Sequence, residues 1–335
     1  MPTAFVRVLS VAILWVALAG CDATAPEPSP PSSERPTSAA AAAYLDEVLD
    51  ILEANALYRE RIRWDLVRAE AEAEIEGAQT IGATYPGIRV ALRALDDNYH
   101  SFLRPPPPLT GTIRGGSTVC TSGPLVPPDL PDDVGYVFVS GFSGGGDEAT
   151  AFATGIQRRI QTADREGLVG WIVDLRLNTG GNMWPMLAGL GPVLGEGVVG
   201  HFVAPGGVVL PWAYQDGASI LNGHTVVKVA SPVRLRRERP RVAVLLDTPT
   251  ASSGEATAIA FERRPDTRSF GSRTCGLSTA NAGLPLSDGA TLYLAVSFMA
   301  DRERSSYREG VEPDEATSSS EETIRRAIGW LRDGV

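Results

Sequence analysis

The stretch 169–182 limits what this chain can fold into more than any other. Residues 169–175 read Val-Gly-Trp-Ile-Val-Asp-Leu, an almost unbroken apolar run of strand length. A strand that is apolar on both faces needs cover on both sides, the situation of a parallel sheet inside an α/β protein. Arg176-Leu177-Asn178-Thr179-Gly180-Gly181-Asn182 follows. At a glycine pair backbone N–H groups can approach a ligand closely, because no Cβ intrudes. A phosphate-binding loop is one use of such a turn, but no Gly-Lys-Ser/Thr follows it. A plain tight turn, with Asp174 paired to Arg176, is the structural alternative.

The flanking segments extend the α/β pattern. Residues 242–246, Val-Ala-Val-Leu-Leu, lead through Pro249 into a helical stretch over about 253–261. Strands are predicted over 135–139 and 291–298, and helices over 148–163 and 323–331. Short links between alternating strands and helices mean an α/β core. Upstream, Thr37 or Ser38 can cap a helix whose apolar members, Ala42, Leu45, Val48, Leu49 and Leu52, recur at spacings of three and four. Good helix formers fill 62–75, and Ile88, Leu92 and Leu95 share one face of a third helix over 86–95. This helical region stops at Asp96, and Pro105 to Pro108 forbid regular structure. A Pro/Gly-rich loop fills 109–133, and residues 198–239 show no readable period.

Composition narrows the function classes. The chain has 335 residues, 40 acidic against 30 basic, and a formal net charge of -10. No Lys/Arg-rich block occurs, so no nucleic-acid partner is expected. Arg7 precedes an apolar run over 8–19, too short for a mature membrane span and suited to a signal-peptide core. That run ends in Leu18-Ala19-Gly20-Cys21, which resembles a bacterial lipobox with Cys21 as the lipidated residue; a plain signal peptide with an incidental cysteine is the alternative. Residues 22–39 are rich in Pro, Ser, Thr and Ala and are expected to be a disordered tether. The expected outcome is export and anchoring to a bacterial membrane on its extracytoplasmic or periplasmic side. Cys120 and Cys275 remain, and in an oxidising compartment they either bridge or stay two buried thiols. Neither they nor the three histidines have metal-ligand spacing, so no metal and no cofactor is expected.

Chemistry concentrates at Thr250-Ala251-Ser252-Ser253-Gly254-Glu255. A hydroxyl at a strand-to-helix turn is exposed, and the free N–H groups of the helix start can hold an oxyanion. The same residues would also serve as an ordinary helix cap.

Taken together, these motifs resemble the tail-specific, or C-terminal processing, serine protease family, whose core has the Clp-protease/crotonase-like fold. Its Asp-Leu-Arg-x-Asn-x-Gly-Gly motif is matched by residues 174–181, and its serine three residues before a glutamate by Ser252 and Glu255. Gly271, Thr274 and Gly276, then Gly310, Val311, Pro313 and Asp314, match its downstream motifs in order. The resemblance implies a small helical region over 40–108 and a catalytic core over 109–335. It also implies Ser252 as nucleophile, an oxyanion hole from Ser253 and Gly180 or Gly181, and a peptide or protein substrate.

Two departures shape the expected mechanism. The family's catalytic lysine falls on Leu277 and its accompanying aspartate on Arg263, so a Ser–Lys pair is not available. The usual PDZ insertion is also missing, because residues 101–135 are too few for such a domain. Another branch, similar to the tricorn protease core, takes its base from a histidine in the N-terminal helical region. Asp97-Asn98-Tyr99-His100-Ser101 resembles that element, making His100 the expected base. Glu255, Glu309 and Ser101 are the candidates to orient it. His201 and His224 are read as structural or surface residues. The expected function is an exported serine peptidase working through an acyl-enzyme. A non-catalytic ligand-binding protein on the same fold, or an esterase at the same site, would be its rivals.

Overall fold

A computed structural model of the chain describes residues 35–116, 120 and 128–333. The signal segment and Cys21 lie outside the described residues. The last residues of the expected tether are tied down: Thr37 Oγ1 donates to Ile75 O (3.0 Å) and Ser38 N to Ala78 O (2.9 Å).

Three helices open the fold, α1 (Ala39–Asn55), α2 (Trp64–Ala73) and α3 (Tyr85–Ala94). Ser38 caps the first by accepting the Ala41 N–H at 3.2 Å, satisfying a donor that has no partner within the helix. Tyr44, Leu45, Val48, Leu49 and Leu52 are buried along one face, as their spacing requires. A short strand, β1 (Phe102–Arg104), follows.

The core then alternates: β2 (Val134–Phe138), α4 (Gly146–Ala163), β3 (Gly170–Asp174) and α5 (Met183–Leu194). Four antiparallel strands come next, β4 (Gly197–Val203), β5 (Val209–Gln215), β6 (Ala218–Leu221) and β7 (His224–Lys228). Then come β8 (Val242–Leu246), α6 (Ser253–Phe261), β9 (Thr267–Gly271), β10 (Thr279–Pro285), β11 (Thr291–Ala300), β12 (Glu315–Ala316) and α7 (Ser320–Arg332).

Two sheets result. The parallel one has the order β12-β9-β8-β3-β2, and the other has β11 at its heart, flanked by β10, β1 and β4 and extended through β5, β6 and β7. The parallel strands explain their own sequences. Trp171, Val173, Val242 and Val244 pack into the cluster under α4, α5 and α6. The intervening Ile172, Ala243 and Leu245 pack with Ala327 and Leu331 of α7. Both faces are covered, so apolar residues continue through the strand instead of alternating with polar ones.

Leu103, Leu292 and Leu294 share one apolar cluster with residues of α1 and α3. The region expected as helical over 40–108 is therefore joined to the second sheet, and β1 pairs with β11. That junction carries His100 to the core. Cys120 and Cys275 form a disulfide with Cα atoms 5.7 Å apart, an ordinary separation for a bridge.

Leu245→Ala, at a fully buried position, should lower unfolding free energy by about 2–5 kcal/mol. Leu66→Ala, at a position 59% exposed, should cost no more than about 0.5 kcal/mol. Urea midpoints at unchanged slope measure both, and equal small losses would contradict the two-sided cover described for β8.

Candidate functional site

Ser252 sits where β8 ends and α6 begins, held in a left-handed conformation (φ 51°, ψ -116°) that a non-glycine residue adopts only when its surroundings impose it. Those surroundings are specific. Asp247 accepts from Leu177 N (3.0 Å), Thr250 N (3.1 Å) and Thr250 Oγ1 (2.9 Å), tying the β8 exit to the β3 exit. The fully buried Asn178 is the second tie: its carbonyl accepts from Ala251 N (2.9 Å) and its Nδ2 donates to Val139 O (3.1 Å). Asp174 and Arg176 form a buried ion pair at 2.6 Å that also receives the Tyr136 hydroxyl, a structural use.

The glycine turn lies against the serine. A Cβ on Gly180, whose φ is 98°, would stand 2.8 Å from Ser252 Cβ and 3.0 Å from Ser253 N. The Gly180 N–H is occupied, donating to Asn178 Oδ1 at 3.0 Å. Phe142 pairs through Gly180 O and Asn182 N, so Gly181 turns its own N–H and carbonyl away from Phe142. The Gly181 carbonyl accepts from Ser253 Oγ at 2.7 Å, so this edge faces the start of α6. Among the described residues, neither the Gly181 N–H nor the Ser253 N–H has an acceptor. These are the two donors open to an oxyanion.

His100 reaches the serine from the other side. Its Nε2 lies 3.2 Å from Ser252 Oγ, and its Nδ1 lies 2.6 Å from Thr279 Oγ1. The turn that presents it is strained, with Asp96, Asn98 and Tyr99 all at positive φ (52°, 57° and 58°). Several bonds hold it: Arg114 Nη1 to Tyr99 O (3.0 Å), Asn98 Nδ2 to Gly276 O (3.2 Å) and Asn281 Nδ2 to His100 O (3.0 Å). Burial of the imidazole, reinforced by the Arg114 guanidinium, pushes its pKa down to about 4.

The expected orienting residues are placed elsewhere. Glu255 is fully buried, and its carboxylate accepts from Ser252 N (2.9 Å), Thr274 Oγ1 (2.6 Å), Gly276 N (2.8 Å) and Leu277 N (2.7 Å), with no bond to His100. Glu309 is an exposed side chain 3.7 Å from Arg273. Ser101 donates its N–H and hydroxyl to Asp97 and accepts from Ala295 N. Thr279, which sequence reasoning missed, takes the position beside Nδ1; a lone threonine opening a strand carries no signal of that kind. The Ser–Lys positions serve other ends, with Leu277 donating its backbone to Glu255 and Arg263 pairing with Asp301 and Glu303. His201 is buried with Nδ1 on Asp301 O (2.8 Å), and His224 is exposed.

Among the described residues, no group of three or more His, Cys, Asp or Glu side chains could hold a metal ion, and no helix is long and apolar enough to cross a membrane. A cavity of about 760 Å³ between Tyr214, Arg234 and Arg264 includes neither Ser252 nor His100.

Comparison with known proteins adds four findings. The model of peptidase family S41 matches residues 133–317. The nisin-resistance protein of Lactococcus lactis subsp. lactis is 25% identical over 304 residues, covering 87% of each chain. In fold the chain is similar to a lipoprotein from Streptococcus agalactiae, with a TM-score of 0.67 and 23% identity over 89% of this chain and 98% of that one. The photosystem II D1 C-terminal processing protease aligns with a TM-score of 0.54 and 15% identity over 87% and 98%.

Because the folded pKa of His100 lies below its ordinary value of about 6.5, the unfolded chain takes up the proton first as pH falls. This group's stabilising contribution should be complete above about pH 6.5 and lost progressively down to about 4. An imidazole NMR titration should place the midpoint well below 6.5, and Arg114→Gln should move it upward. A midpoint at or above 6.5 would contradict the burial described.

Proposed function

The chain belongs to peptidase family S41, and from that premise we propose that it is an exported serine peptidase with Ser252 as nucleophile and His100 as general base. One observation carries the reading: the 3.2 Å approach of His100 Nε2 to Ser252 Oγ, beside two backbone N–H groups without acceptors among the described residues. In the tautomer with its proton on Nδ1, His100 donates to Thr279 Oγ1 and presents a bare Nε2 to the serine. Nε2 takes the hydroxyl proton as Oγ attacks the peptide carbonyl. The Ser253 and Gly181 N–H groups receive the negative oxygen. The imidazolium then protonates the departing amine, leaving an acyl-enzyme that water attacks by the same route.

Thr279 is a neutral acceptor where a carboxylate would otherwise stabilise the imidazolium. Burial, reinforced by the Arg114 charge, lowers the driving force for proton uptake and leaves the base unprotonated down to mildly acidic pH. The nisin-resistance relative makes antimicrobial peptides of the nisin kind the first substrates to try. The similarity to a lipoprotein and the Leu18-Ala19-Gly20-Cys21 sequence support anchoring through lipid on Cys21 at the outside of a bacterial membrane.

A fluorophosphonate probe should label the protein at Ser252, with labelling abolished in Ser252→Ala and weakened in His100→Ala. Thr279→Val should lower kcat on nisin or casein about tenfold with KM little changed, and Thr279→Ser should restore it. Folded protein that takes no label would leave the fold as a ligand-binding one, and turnover of simple esters without peptides would make it an esterase. Separately, a radiolabelled fatty acid fed to expressing bacteria should appear on the wild type and not on Cys21→Ala. Equal labelling of the two would exclude the anchor.

A further inference from the structure

Next to Thr279 the second sheet carries an arrangement that the chemistry at Ser252 does not use. Thr279 of β10 is the direct partner of Phe298 on β11, so the two side chains leave the same face, with Cβ atoms about 4.5–5.5 Å apart. The half-buried Phe298 ring meets the Tyr58 ring edge-on at 5.5 Å. Tyr58 is brought there because its neighbour Leu57 donates its N–H to Ala295 O of the same strand. A guanidinium lies against each ring: Arg308 is 4.4 Å from the Phe298 centroid and Arg61 is 5.2 Å from that of Tyr58. Ser278 donates its hydroxyl to Tyr307 O, which ties the chain carrying Arg308 alongside the residue before Thr279.

Both arginines are exposed, and among the described residues neither has a carboxylate within 4.0 Å. The acids in the neighbourhood are otherwise engaged or remote. Glu309 pairs with Arg273, Glu60 with Arg59, and Asp97 with Ser101; Asp96 lies near enough to influence Tyr58 yet pairs with neither guanidinium. The two positive charges both act on the Tyr58 hydroxyl, opposing the burial that raises its pKa. The result is two planar donor forks held by aromatic rings, with their donors open to solvent, on the sheet face that carries Thr279. Stacking fixes a guanidinium while sparing its in-plane N–H groups for a bidentate acceptor.

We propose that Arg61, Tyr58, Phe298 and Arg308 form a substrate subsite for a carboxylate-bearing residue, whose apolar part lies on the aromatic pair while its carboxylate bridges the guanidiniums. This rests on the peptidase reading for the meaning of "substrate" and not for the binding itself. The carboxylate comes either from the end of a peptide chain or from an Asp or Glu side chain, and both offer the same planar acceptor.

Three fluorescent decapeptide libraries separate the sources: one with a free C-terminus and no Asp or Glu, one amidated and lacking both, and one amidated with Asp and Glu allowed. Binding is measured by anisotropy to Ser252→Ala protein and cleavage with the wild type. Either carboxylate-bearing library should bind about ten- to a hundredfold more tightly than the amidated neutral one. In the Arg61→Gln/Arg308→Gln double variant that ratio should collapse towards one, while Arg68→Gln, whose guanidinium is taken up by Asp50 and Glu53 of α1, should keep it. A preference for the first library identifies a chain terminus and for the third an acidic side chain. Equal binding of all three, or a ratio unmoved by the double variant, overturns the subsite whatever is cleaved. Absence of cleavage with the binding preference intact would overturn only the peptidase reading.

Discussion

One buried carboxylate sets the geometry of the site. Glu255 stands in the first turn of α6 with no basic partner among the described residues, and burial pushes its pKa up. Four donors offset that cost, and every one of them donates, so the pocket is built for the ionised form. The four bonds join two parts of the chain. One holds the backbone of Ser252; the other three hold the Thr274–Leu277 loop, which leads directly into Thr279. A single charged group thereby fixes how far Ser252 stands from Thr279, the residue beside His100 Nδ1. Removing it would leave three backbone donors and a hydroxyl unsatisfied in a dry interior, a costlier loss than that of one contact.

The second constraint is stored in the backbone. Ser252, Asp96, Asn98 and Tyr99 all occupy the left-handed region, at a cost on the order of 1–3 kcal/mol each. In both turns the compensation comes from bonds to other elements: Asn178 and Asp247 for the serine, Gly276, Asn281 and Arg114 for the histidine. The two turns lean on the same loop around Gly276, through Glu255 from one side and Asn98 from the other. Strain of this kind persists only where several contacts over-determine the conformation, and here the contacts come from both sheets.

How much of this was legible in the sequence depended on whether local pattern or long-range contact decided the outcome. The strands over 135–139, 169–175 and 242–246, and the helix starting at Ser253, declared themselves through apolar runs and a strand-to-helix turn. The closing helix begins at Ser320 instead of 323 because Ser319 caps it, accepting the Glu322 N–H. Helix α5 was hidden because Met183–Leu194 is apolar all round, which erases any 3.6-residue period. The stretch 198–239, without a readable period, does carry a local turn signal. Asp216-Gly217 and Asn222-Gly223, all four at positive φ, are the tight turns joining β5, β6 and β7. In the site, Ser252, His100 and the glycine pair could be named from motifs, whereas Thr279 could not. Its place beside His100 depends on the pairing of β10 with β11 and on the Glu255 loop, which no local spacing encodes. Glu255 and Glu309 were reasonable carboxylates for a histidine to lean on, but one is spent on backbone donors and the other faces solvent.

The disulfide divides these parts in an instructive way. Cys120–Cys275 closes a covalent ring that encloses β3, the glycine turn, Asn178, Ser252 and Glu255. His100 lies on the chain before that ring and Thr279 on the chain after it, so the cross-link itself does not hold either of them against Ser252. Local detachment of the N-terminal helices would take His100 away from Ser252 while the parallel strands inside the ring, β2, β3, β8 and β9, stayed cross-linked. The placing of His100 and the integrity of the parallel sheet are thus separable properties of this fold, set on opposite sides of one sulfur–sulfur link.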